Sequence, residues 1–141
     1  MRGTILANSI YYADHTQQYM CLIVVIHSEL FFGRGMENTT DWVNTFFKYN
    51  RTIESRKMTL NDGTTMSVQA SHFHYCSPRI DDAETYESVE VGFPSCVIME
   101  IMEYAESDDR PTETVYGWVP VKILNQVIES RGGIKNLWSF H

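Results

Sequence analysis

Met58-Thr59-Leu60-Asn61-Asp62-Gly63-Thr64-Thr65-Met66-Ser67-Val68 is the stretch on which the fold turns. Two β-prone runs flank a polar loop that ends in glycine. A three-residue loop with Gly63 in the left-handed region closes such runs into a hairpin. That closure pairs Leu60 with Thr64, Met58 with Met66 and Arg56 with Val68. Directly opposed residues share a sheet face, so both methionines land on one side. A two-residue Asp62-Gly63 loop would put them on opposite sides, and the pattern rejects it. The second strand is predicted to run on as far as Cys76.

Outward from the hairpin the elements alternate. On the N-terminal side, Asn38-Thr39-Thr40-Asp41 offers capping oxygens. Trp42, Val43, Phe46 and Phe47 then mark one face of a helix over 41–49. Residues 4–12 and 19–27 read as two further strands joined by a polar turn. On the C-terminal side, Val89, Val91 and Phe93 alternate with Ser88 and Glu90, which predicts a strand. Ser95 is a good N-cap for a helix over 96–105, whose stripe is Val97, Ile98, Ile101, Met102 and Ala105. Thr114 to Val119 reads as a strand. Pro120 suits the first position of a helix carrying Val121, Leu124, Val127 and Ile128. Gly132-Gly133-Ile134 reads as its Schellman stop. A last short strand would carry Trp138 and Phe140, whose exposed rings would suit a contact in a homo-oligomer.

The prediction is therefore α+β, a mainly antiparallel sheet of about five to seven strands with two or three helices. The 141 residues suit a single domain. Within it, residues 1–35 read as a separable N-terminal hairpin and 36–141 as the core.

Composition excludes several classes. The longest apolar run, Tyr19 to Ile26, holds 8 residues, far short of the ~20 a membrane helix needs. No signal-type apolar stretch directly follows Met1-Arg2-Gly3. The three cysteines are an odd number without CxxC spacing, which points to a reducing compartment. The expectation is a cytoplasmic protein with no membrane contact and no cofactor. The sequons at Asn38 and Asn50 then read as chance.

Charge is the most uneven property. The chain carries −7, yet residues 81–113 alone carry −10. Such a window repels phosphate backbones, so duplex nucleic acid is not an expected partner, and it attracts basic surfaces. Asp81, Asp82, Glu84, Glu87, Glu103, Glu106, Asp108 and Asp109 are the candidate partner-binding residues.

Two smaller constellations compete with that reading. Arg51, Arg56 and Lys57, with Phe47 and Tyr49 nearby and Arg79 further on, combine guanidinium groups with stacking rings, as a small-nucleotide pocket requires. His72, His74 and Cys76 would share one face of a strand, and imidazole with thiolate suits zinc. Cys96, His27, Asp81 or Asp82 would supply a fourth ligand. Cys76 or Cys96 beside a histidine would be a thiol nucleophile. No phosphate loop, dinucleotide fingerprint, zincin helix or nucleophile elbow occurs.

Tyr75-Cys76-Ser77-Pro78-Arg79-Ile80-Asp81-Asp82, Val115-Tyr116-Gly117-Trp118-Val119-Pro120-Val121 and Gly132-Gly133-Ile134 resemble small uncharacterised proteins of bacterial phages and prophages. The resemblance covers about 75–135 and assigns no functional residue. It implies an intracellular protein that counters host defence, either by inhibiting a host protein or by sequestering a nucleotide signal. The expected function is thus a non-catalytic inhibitor that docks its acidic surface on a basic host protein. The alternatives are an oligomeric nucleotide-binding sponge and a metal-dependent enzyme.

Overall fold

A computed structural model describes residues 40–138. The expected strands 4–12 and 19–27, the hairpin 1–35 and Phe140 lie outside the described residues. Four strands form one antiparallel sheet in sequential order: β1 (Lys57–Thr59), β2 (Thr65–Gln69), β3 (Ser88–Gly92) and β4 (Val115–Pro120). Two α-helices accompany it, α1 (Trp42–Tyr49) and α2 (Val121–Ser130), with 3₁₀ segments at Glu54–Arg56 and Met99–Tyr104. The class is α+β as predicted. The strand number is four among the described residues, fewer than five to seven.

The hairpin has the predicted bulged register. Met58 faces Met66 and the Leu60 N–H donates to the Thr64 carbonyl. Gly63 sits at φ +95, where only glycine is free of strain. Arg56 does not join the ladder; it closes the 3₁₀ turn before β1. Register then carries one apolar face across the sheet. Val68 opposes Val91, Val91 opposes Tyr116, and Val89 opposes Val119. All of these residues are buried, with Phe46, Ile98, Ile101, Leu124 and Ile128 packed into the same core.

Both helices end as their sequences dictate. Asp41 accepts the Asn44 N–H at the start of α1. The sequence does not reveal that Asn125, on α2, accepts the Val43 N–H at 2.9 Å and donates to Asp41. One helix thereby caps the other. Asn125→Ala would orphan a buried helical N–H, so we expect a loss of about 2 kcal/mol, read as a lower urea midpoint with an unchanged slope. At the other end of α2, the Gly133 N–H donates to Ile128 and the Gly132 N–H to Glu129, the Schellman pattern. Ile134 is buried behind it.

Three local expectations are corrected. Residues 96–105 form no α-helix. The Ser95 hydroxyl accepts the Thr65 N–H at 2.9 Å and so caps nothing. Ile98 is extended, and Ile98, Ile101 and Tyr104 recur every third residue, the period of the 3₁₀ turn that forms. Phe93 is 61% exposed rather than in line with Val91, because the backbone turns to φ +48 there. β2 ends at Gln69 and does not reach Cys76. No helix among the described residues is long and apolar enough to cross a membrane.

Candidate functional site

Two adjoining cavities open beside the end of α1. The first encloses about 220 Å³ between Phe47, Lys48 and Arg51 on one wall and Asp82, Glu84 and Tyr86 on the other. The second, about 260 Å³, lies between Ile53 and the loop Ser71–His74. Arg51, Arg56 and Asp82 line both, so they form one divided groove.

Arg56 is its centre. The side chain is buried, with Nε donating to the Asn50 carbonyl at 2.9 Å and Nη1 to the Ala70 carbonyl at 3.0 Å. The guanidinium lies 4.6 Å over the Phe47 ring. Burial pushes its pKa down from the arginine value, the mark of a charge held away from water. Nη2 makes no hydrogen bond to the described residues. Asn50 is itself fully buried, which removes it as a glycan acceptor in the folded chain.

The carboxylates come from the turn 81–84. Asp82, at φ +49, places its side chain 3.5 Å from Arg51. Asp81 accepts both the backbone N–H and the ring of His72. The backbone N–H, then the ring, hold the Asp81 carboxyl below its usual range. That favourable contact is present above the ordinary carboxylate pKa and is lost as pH falls through the depressed one. The groove is thus mixed in sign, with Lys48, Arg51 and Arg56 facing Asp81, Asp82 and Glu84.

This arrangement sorts the sequence candidates. Phe47, Arg51 and Arg56 come together, joined by Lys48. Lys57 is exposed on the sheet edge, and its carbonyl accepts from Asn136. Tyr49 turns away to meet Trp138, ring centres 4.5 Å apart. Arg79 sits over Tyr75 instead. Ser71 escapes a reading by residue type: its hydroxyl lies 2.7 Å from His74 Nδ1 and accepts the Phe73 N–H, which fixes the loop wall.

The zinc reading loses its geometric premise. His72, His74 and Cys76 lie on a loop, not a strand, and turn to Asp81, Ser71 and the Ser71 carbonyl respectively. No group of three or more ligating side chains converges among the described residues. The Cys76 thiol is buried, and burial raises its pKa, so it is no ready nucleophile. Cys96 is disulfide-bonded, which withdraws it as a nucleophile.

The acidic window is not one surface. Ser88 opposes Pro120 and Gly92 opposes Val115. Asp81 to Glu87 therefore precede one end of β3. Glu106 is tied to the Val115 carbonyl at the other end, with exposed Glu103, Asp108 and Asp109 beside it in sequence.

No known protein family, curated protein or solved structure matches the chain.

Proposed function

We propose that the chain is a non-catalytic ligand-binding module whose groove takes a small anion of the nucleotide class. The observation that carries this is Arg56: a desolvated guanidinium, stacked on Phe47, that reaches both cavities with a nitrogen bonded to none of the described residues. Buried cation with nearby Arg51 and Lys48 suits phosphate, since charge-assisted bonds strengthen where water is thin. Asp81, Asp82 and Glu84 suit ribose hydroxyls or a base amino group, and they disfavour a polyanion.

The test is a titration with AMP, ADP and pyrophosphate followed by amide shifts. Arg51 is the residue to change, because its side chain is exposed and its pairing with Asp82 is a surface contact. We expect Arg51→Ala to weaken AMP binding at least tenfold with Tm unchanged within about 2 °C. Asp82→Asn should tighten it by freeing Arg51. No saturable shift at millimolar nucleotide ends this reading.

A second reading rests on a separate observation. Glu103, Glu106 and Asp108 are exposed and form no ion pair with other described residues. That end of the sheet supports docking on a basic host protein, as a counter-defence inhibitor would do. Binding that does not weaken with added salt would exclude it.

A further inference from the structure

The ladder between β3 and β4 carries an extra residue. Val89 opposes Val119 and Val91 opposes Tyr116, so Gly117 and Trp118 together face Glu90. This bulge turns Trp118 to φ +51, a conformation that a bulky residue adopts only under strain. The indole is left 51% exposed. Strain held to expose an aromatic ring is the reverse of what core packing would select.

The neighbours hold that ring in place. The Trp118 N–H donates to the Tyr75 carbonyl at 2.9 Å, and the Tyr75 N–H donates to Glu90 Oε2 at 3.1 Å. Tyr75 rests on Gly117, where an added Cβ would come within 3.2 Å of it. The Tyr75 and Trp118 rings lie 4.8 Å apart at 30°. On Tyr75 sits the Arg79 guanidinium, 5.4 Å from the ring centre. Tyr75 thus meets both a guanidinium and an indole, and the indole is half open.

We propose that Trp118 and Glu90 form a docking site for an arginine side chain of a basic partner segment. Tyr75 already accepts a guanidinium from its own chain, and indole is the stronger cation–π ring. Glu90 lies across the bulge from Trp118, and its Oε1 makes no hydrogen bond to the described residues, which leaves a carboxylate oxygen for a guanidinium N–H. The −7 charge of the chain favours a cation over a phosphate-bearing ring. The site extends the basic-partner reading and shares no residue with the groove.

Hexa-arginine peptide, titrated while the Trp118 indole N–H is followed by NMR, tests it. Saturable shifts are expected, with hexa-lysine at least fivefold weaker and Glu90→Gln weakened about fivefold. Trp118→Gly, which the positive φ tolerates and which removes the indole probe, should abolish hexa-arginine binding read by calorimetry, whereas Arg51→Ala should leave it intact. Equal responses to hexa-lysine and hexa-arginine, or binding retained by Trp118→Gly, would overturn the proposal. So would a Trp118 shift produced by AMP and not by hexa-arginine.

Discussion

Arg56→Ala should cost about 3 kcal/mol of stability, enough to lower Tm by roughly 10 °C in a domain of this size. As a basic residue beside aromatics, Arg56 reads from sequence as a pure ligand contact whose loss spares the fold. Its position says otherwise. Nε and Nη1 tie the carbonyl after α1 to the carbonyl after β2, and both carbonyls belong to buried residues, so water would have to enter the interior to replace them. Truncation would also uncover the Phe47 face. Arg56→Lys should recover only part of the loss, because an ammonium on a flexible stem does not reproduce a planar fork between two fixed oxygens. Urea unfolding at constant slope is the measurement. A loss below about 1 kcal/mol would mean that water replaces the guanidinium, and that Arg56 is free to serve the ligand alone. On the proposed ligand reading, an arginine fixed by the fold, with Nη2 bonded to none of the described residues, would lose little freedom on meeting an anion.

The features legible in the sequence are those written in adjacent residues. Gly63 and the spacing of the two methionines are enough for the hairpin register, because turn chemistry and face parity are local. Asp41 with Phe46 and Phe47 suffices for α1, and Gly132-Gly133 for the end of α2. What escapes is set by distant partners. Ser95 reads as a cap until Thr65 claims its hydroxyl. His72, His74 and Cys76 read as one face until β2 stops at Gln69. The acidic window reads as one patch until β3–β4 pairing sends its two halves to opposite ends. The groove was half legible, through Phe47, Arg51 and Arg56. Asp82 reads in sequence as part of an acidic partner-binding run, and the Trp118 platform depends on a bulge that no run of residues announces.

Gly133→Ala should be as damaging as the loss of Arg56, for a different reason. Two penalties coincide there. Gly133 has φ +91, so an alanine pays left-handed strain of about 1–2 kcal/mol. Its Cβ would also lie 2.8 Å from Trp42 Cη2 and 3.1 Å from Cζ2. Trp42 has little freedom to yield, because its Nε1–H donates to Glu129 at 2.8 Å. Nor is the glycine backbone free to retreat: its N–H closes the Schellman turn on Ile128 and its carbonyl accepts the Asn61 N–H at 3.0 Å. Helix, hairpin loop and Trp42 meet at this one residue, and overpacking adds about 1–3 kcal/mol to the strain. Gly63→Ala separates the terms. Gly63 has almost the same φ, +95, but open space around it, so its substitution should show the strain alone. The clash is then the excess of Gly133→Ala over Gly63→Ala. It should largely vanish in a Trp42→Ala background, where the two changes become less than additive. Equal costs at the two glycines would show that Trp42 moves aside and that this corner of the core is looser than its hydrogen bonds imply.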